Sequence, residues 1–242
     1  MKNILTILKR ELLSYVRTPS GYVIAAIALL ADGVLFNVWG LHQSPDFSEN
    51  VLFRYLGASA FVTLVLVALF SMRLLAEERN NGVQTLLFTS PVREHEIVLG
   101  KYLGGLIFIV LVTLTTLYLP ALIFISGKVS LLHITAGYGG MLLLGASSLA
   151  VATFASSLSA SPFVSVLLTA LFLALMEGSY FIGVISDGGA RDIIPWFAGW
   201  MSHYMPSFAK GLVRLSDIVF FIVVTYVSLL GATRVLQNQR WQ

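Results

Sequence analysis

Six stretches of this chain are long and apolar enough to cross a bilayer, and they decide what it can fold into. They are Ser20–Leu41, Val51–Leu75, Lys101–Ser126, Leu131–Ser157, Pro162–Ile185 and Ser216–Leu236. A helix needs about twenty mostly apolar residues to cover roughly 30 Å of hydrocarbon. Lipid cannot satisfy backbone donors and acceptors, so each stretch must be a helix or part of a closed barrel. The unbroken apolar runs lack the period-two alternation of barrel strands. The expected fold class is all-α: a polytopic membrane protein with six transmembrane helices. An N-terminal amphipathic interface helix and short outer helices between spans five and six complete it. Pro120, inside the third span, should kink it.

Composition agrees. Hydrophobic residues make up 57% of the 242 and charged residues only 11%, against about 25% charged in soluble domains. The absence of cysteine excludes disulfides and thiolate metal sites. Nothing resembles a cleavable signal peptide, because Lys9, Arg10 and Glu11 interrupt the first seventeen residues.

Lys and Arg set the expected orientation. With the N-terminus inside, ten of the fifteen fall on the cytoplasmic side: Lys2, Lys9, Arg10, Arg17, Arg73, Arg79, Arg93, Lys101, Arg234 and Arg240. The bias and the even number of spans both put the two termini in the cytoplasm of an inner-membrane protein. Residues 1–18 form an interfacial elbow helix. Ile4, Leu5, Ile7, Leu8, Leu12, Tyr15 and Val16 share one arc, and the basic residues take the other. Pro19 ends it. Glu11 falls within the apolar arc, either snorkelling at its edge or pairing with a basic residue of a neighbouring helix.

Two loops exceed plain connectors. The inside segment 76–100 carries Glu77, Glu78, Arg79, Arg93, Glu94 and Glu96; Ser90 at N-cap and Pro91 at N1 would start a helix there. The outer segment 186–215 places Trp196, Trp200, Tyr204 and Phe208 at spacings of four, with Pro206 interrupting. That aromatic stripe would sit at headgroup level as an outer gate or docking surface.

Three stretches in order resemble the ABC-2 class of permeases, and more closely its gliding-motility and nitrous-oxide-reductase-maturation branch. The first is Lys9-Arg10-Glu11-Leu12 with Arg17-Thr18-Pro19. The second is Ala76-Glu77-Glu78-Arg79-Asn80-Asn81-Gly82, then Leu86-Leu87-Phe88-Thr89-Ser90-Pro91-Val92 and Gly100-Lys101-Tyr102. The third runs from Ser202-His203-Tyr204 through Phe208-Ala209-Lys210-Gly211 to Asp217, ending in Arg234-Val235-Leu236 and Trp241. The pattern departs from the class after Gly82, where Val83, Gln84 and Thr85 stand in place of the Thr-x-Glu that usually completes Gly-Thr-x-Glu. The resemblance implies a dimer, with a second copy or a related permease, clamped to ABC ATPase subunits that hold ATP and Mg. An extracytoplasmic partner is a further expectation, and nucleic acid is not. It also implies that 76–100 supplies a coupling helix, with Glu77, Glu78, Arg79, Gly82, Pro91, Arg93, Glu94 and Glu96 at the ATPase contact. Arg10, Glu11 and Pro19 belong to the elbow.

No cofactor is expected on this chain, and no ATPase site. Gly100-Lys101 and Gly127-Lys128 lack the spaced glycine of a phosphate-cradling loop. Asp32 and Glu177 are costly inside spans unless paired, protonated or hydrated. Each is either a buried neutral acid or lines a path. Small residues at Gly100/Gly104, Ser148/Ala152/Ser156 and Ala170/Ala174/Gly178 permit close helix contact. The four histidines lack metal-ligand spacing and are expected in solvated or interfacial places. The rival readings are a proton-coupled carrier built on Asp32 and Glu177, and a hydrolase built on Ser147 or Ser148 with His133 or His203. The hydrolase lacks a Gly-x-Ser-x-Gly elbow.

Overall fold

The computed structural model describes residues 2–41, 48–82, 92–126, 129–185 and 199–240, and among these the regular structure is helical throughout. In chain order the elements are α1 (Lys2–Arg17), α2 (Pro19–Leu35, continuing as a π-helical stretch to Leu41), α3 (Ser48–Phe70), a 3-10 turn (Ser71–Arg73) and α4 (Ala76–Asn80). Then come α5 (Glu94–Thr115), α6 (Tyr118–Ser126), α7 (Leu131–Leu158), α8 (Pro162–Ile185), α9 (Trp200–Tyr204), a 3-10 turn (Phe208–Lys210) and α10 (Leu215–Arg240).

Five segments are long and apolar enough to cross a membrane: Pro19–Val38, Ser48–Asn80, Glu94–Phe124, Leu131–Leu158 and Leu215–Arg240. α8 has 24 residues and is apolar over Pro162–Gly178. Large side chains such as Leu30, Phe61, Leu111, Phe163, Leu167 and Val227 point outward and stay exposed. That much apolar surface needs a hydrocarbon surround.

Contacts define two ends of the bundle. At the near end, Asn3 Nδ2 donates to Glu96 Oε2 at 3.0 Å, Arg79 Nη1 to the Ser159 carbonyl at 2.6 Å, and Arg240 Nη1 to Glu94 Oε1 at 2.6 Å. At the far end, Tyr204 Oη donates to the Gly137 carbonyl at 3.1 Å, and His133 Nε2 lies 2.8 Å from the Ala209 carbonyl. α2, α3, α5–α6, α7, α8 and α10 therefore alternate in direction. α7 is the central helix, packed by α3, α5, α8 and α10.

The kink expected at Pro120 is a true break, with α5 ending at Thr115 and α6 starting at Tyr118. Proline cannot donate to the Thr116 carbonyl, which instead accepts from Leu119 N at 3.0 Å. Ser90 and Pro91, the expected N-cap and N1 of a helix, lie outside the described residues. Arg93 is extended (φ −80°, ψ 147°) as the N-cap, and the helix begins at Glu94. Glu96 Oε2 accepts from Arg93 N at 3.2 Å, which fixes that start. The helix then runs directly into the third apolar segment, so Glu94 and Glu96 belong to its base.

α1 forms a helix over Lys2–Arg17, and its apolar arc is not all on one partner. Ile7, Glu11 and Tyr15, spaced by four, are buried against protein, while Leu5 and Val16 remain exposed. The apolar arc is thus divided between α5 and the surroundings.

Candidate functional site

The near end contains a four-charge cluster built from three separated segments. Arg10 and Glu11 come from α1, Glu78 from α4 and Lys101 from α5. Lys101 Nζ lies 3.2 Å from Glu11 Oε1 and 3.1 Å from Glu78 Oε1. Arg10 Nη2 lies 2.9 Å and 2.7 Å from the same two oxygens. Tyr15 Oη donates to the second Glu11 oxygen at 3.1 Å. Two cations thus face two carboxylates, which is what makes such burial tolerable.

Sequence explains the approach. A Cβ at Gly100 would meet Ile7 Cγ2 at 2.7 Å, and one at Gly104 would meet Glu11 Cβ at 2.9 Å. The small-residue pair seats α1 on α5, with Lys101 beside the groove. Burial alone would raise the Glu11 carboxyl, but the Lys101 ammonium and the Arg10 guanidinium overcome it and hold Glu11 below the usual 4.5. Of the two readings for Glu11, the buried pair is the one found.

Joined to this cluster is a break in the third helix. After Phe70 the chain tightens to a 3-10 turn, and Leu74 leaves helical geometry (φ −74°, ψ −96°). Ser156 Oγ accepts from Leu75 N and Ala76 N, both at 3.0 Å, and donates to the Ser71 carbonyl at 3.1 Å. Ser165 Oγ donates to that carbonyl at 3.0 Å. Irregular backbone in an apolar bundle needs such partners. Beyond the break, Glu77 lies 3.6 Å from Arg73 Nε, and Gly82 ends α4 with a left-handed φ of 69°. Pro91 lies outside the described residues, and Arg93 is exposed. Pro19 starts α2 at its first turn after extended Thr18.

Asp32 is buried, with Oδ1 unpaired. It lines a narrow cavity with Ser59, Thr63, Thr113, Thr116 and Met141, roomy enough for about one water. Glu177 lies elsewhere, its Oε1 accepting from Met201 N at 3.0 Å. It serves an N–H at the start of α9 that has no partner within the helix. Glu177 does not line the Asp32 cavity.

The outer segment folds inward. Trp200, Tyr204 and Phe208 are buried in the bundle, and Trp200 Nε1 donates to Ser147 Oγ at 2.7 Å. Gly140 leaves room for Phe208, whose ring any Cβ there would strike. These three side chains are therefore not an exposed docking surface, which corrects that expectation; Trp196 lies outside the described residues. His203 and His133 are half-buried. His203 Nδ1 lies 2.9 Å from Asp217 Oδ1 with its ring 3.9 Å from that of Phe220, and His133 meets Ala209. Ser147 donates to the Leu144 carbonyl and accepts from Trp200, and Ser148 donates to the Leu144 and Gly145 carbonyls, so among the described residues neither serine is paired with a histidine.

Lys101, Ser147, Ser156 and Arg240 are the residues whose roles sequence reasoning missed. An acid at Glu11 in an apolar arc signals a hidden base, and Lys101 opens the span that carries the Gly100/Gly104 groove.

Among curated proteins, none matches this chain. The profile of the ABC-2 family transporter proteins matches residues 18–236, from the α1–α2 turn through α10. With a multi-pass bundle of apolar helices beneath it, this match makes the chain a transport subunit, the membrane component of an ABC transporter, and it belongs to the ABC-2 transporter family.

Proposed function

We propose that this chain is the permease subunit of an ATP-driven complex that exports a substrate or transmits mechanical work across the membrane. Six helices cross the inner membrane with both termini cytoplasmic, and the permease pairs with a second copy or a related permease. ABC ATPase subunits carry ATP and Mg and dock at the 76–100 segment. Within the family, the gliding-motility and nitrous-oxide-reductase-maturation branch is the closest in pattern.

One observation carries this reading: the Arg10–Glu11–Glu78–Lys101 cluster fastens α1, α4 and the base of α5 into one unit. A push at the loop between α4 and α5 would move all three together, about the break at Ser71–Leu75. A rigid body hinged at a defined joint is a standard way to pass a soluble subunit's motion into a bundle. Arg240 on Glu94 adds the end of α10 to the same unit. At the far end, the inward-folded Trp200–Lys210 segment is suited to close the outer end of the bundle, as a gate.

Reconstitution in vesicles with the cognate ATPase tests the proposal. Glu94→Lys with Glu96→Lys should weaken ATPase docking, and the isolated chain should hydrolyse no ATP. Robust hydrolysis by the isolated chain, or full coupling in the double variant, would overturn it.

A further inference from the structure

Between α2, the α3–α4 break and the start of α8 lies a cleft of about 560 Å³, partly open to the surroundings. Its polar end holds Ser20, Arg73, Glu77, Asn80 and Asn81. Its apolar walls at Ile24, Ile27 and Leu69 continue into a second cleft of about 230 Å³ between α2 and α3. That groove has only apolar lining residues and extends along α2 to Leu35. From Ile24 to Leu35 it covers about 16 Å of helix.

Arg73 is 8% exposed. Its Nε faces Glu77 at 3.6 Å, its guanidinium carbon lies 5.3 Å from the Tyr15 ring centre, and Nη1 has no hydrogen-bond partner among the described residues. Glu77 is 44% exposed, so solvent screens it and it compensates only one edge of the guanidinium. A buried cation with an unused donor is costly, and a phosphate is the group whose geometry suits it. This polar end lies at the starts of the apolar segments Pro19–Val38 and Pro162–Gly178, the level at which headgroups are expected.

We propose that a phospholipid occupies this continuous cleft. Its phosphate sits on Arg73, with Ser20 and the Asn80 and Asn81 amides alongside, and one acyl chain lies in the α2–α3 groove. A soluble anion would use only the polar end, and a neutral lipid only the groove; the two together select an anionic amphiphile. Arg73 stands in the break before α4, so bound lipid would bear on the joint. The site requires only that the chain sit in a bilayer, and so stands apart from the ATP-coupling reading.

Native mass spectrometry of the delipidated full chain in detergent tests this, with phosphatidylglycerol, diacylglycerol of the same chains, and inorganic phosphate as probes. Phosphatidylglycerol should bind one per chain, about tenfold tighter than diacylglycerol, for one charge-assisted contact set. Phosphate should not displace it. Arg73→Gln should lower its binding by a similar factor, and Ile27→Trp, on a half-exposed wall, should block the groove. If Arg73→Gln does not fold, Ile27→Trp and the diacylglycerol comparison carry the test. Unchanged binding in Ile27→Trp, equal binding of diacylglycerol, or displacement by phosphate would each overturn the proposal.

Discussion

Lys101 Nζ lies 3.2 Å from Glu11 Oε1, and the two side chains are 2% and 8% exposed. They are ninety residues apart in sequence, one on the N-terminal helix and one at the base of α5. Glu78 reaches the same ammonium from α4, so Lys101 is the point where all three segments meet. Its charge is what allows an acid to sit on the buried face of α1.

The pair should behave as a unit. Lys101→Met leaves a buried carboxylate with less compensation and should cost about 3–5 kcal/mol, as breaking a buried ion pair does. Glu11→Gln combined with Lys101→Met should cost less than the sum of the two single changes. Thermal unfolding of the four proteins in one detergent gives the coupling. Additive costs would mean that the two side chains act independently.

Acid should weaken the same contact. Glu11 is held below the usual 4.5 in the fold, so the unfolded chain binds its proton more tightly. The stabilisation is complete above the unfolded value and is lost as pH falls through the lower folded value. Wild-type stability should therefore drop more between about pH 5 and pH 3 than that of Glu11→Gln. Parallel acid profiles for the two proteins would remove Glu11 as the source.

Five of the apolar runs and the helix boundary at Pro19 were legible because long apolar stretches and a proline stop are local signals. The third-helix break was not. Ser71–Leu75 reads as ordinary helix, and only Ser156 and Ser165, on two other helices, make the break affordable. The aromatic outer segment was found by its spacing, but its burial was not. Spacing places Trp200, Tyr204 and Phe208 on one face without saying whether lipid, water or protein covers it. The covering helix is marked by Gly137 and Gly140, distant in sequence. Glu177 likewise reads as an intramembrane acid until the start of α9 is brought beside it.

Ser156 is expected to matter more than its size suggests. Ser156→Ala removes the acceptor for Leu75 N and Ala76 N, and leaving buried donors unpaired costs about 1–3 kcal/mol. Hydrogen exchange should rise at those two amides and in α4, with α7 itself unchanged. Protection equal to wild type at Leu75 and Ala76 would mean the break is held by other contacts.

Trp200 separates a gate from a packing residue. Trp200→Ala should cost about 3–5 kcal/mol, as removal of a buried aromatic does. Trp200→Phe keeps most of the volume and loses only the bond to Ser147, so it should fold. As a gate, the Phe variant should release ATP turnover from transport in reconstituted vesicles. Full coupling in a folded Trp200→Phe protein would leave the segment as core packing alone.

Asp32 offers the sharpest division between structure and mechanism. Its Oδ1 has no partner among the described residues, and no basic side chain lines its cavity. A carboxylate there is either protonated or hydrated, because an unpaired charge at that depth costs several kcal/mol. Asn is nearly the same shape and cannot ionise. If Asp32 only fills space as a neutral acid, Asp32→Asn should shift stability by less than about 1 kcal/mol and leave transport as it was. If the helix pair α2–α3 changes its hydration or protonation during switching, Asp32→Asn should assemble normally yet lose substrate-dependent ATPase stimulation. We expect the second outcome, since the cavity joins α2, α3, α5 and α7, three of which meet the near-end cluster or its joint. Asp32→Leu serves as the control: it should close the cavity, keep the fold and also lose stimulation. Retained stimulation in both variants would make Asp32 a packing residue.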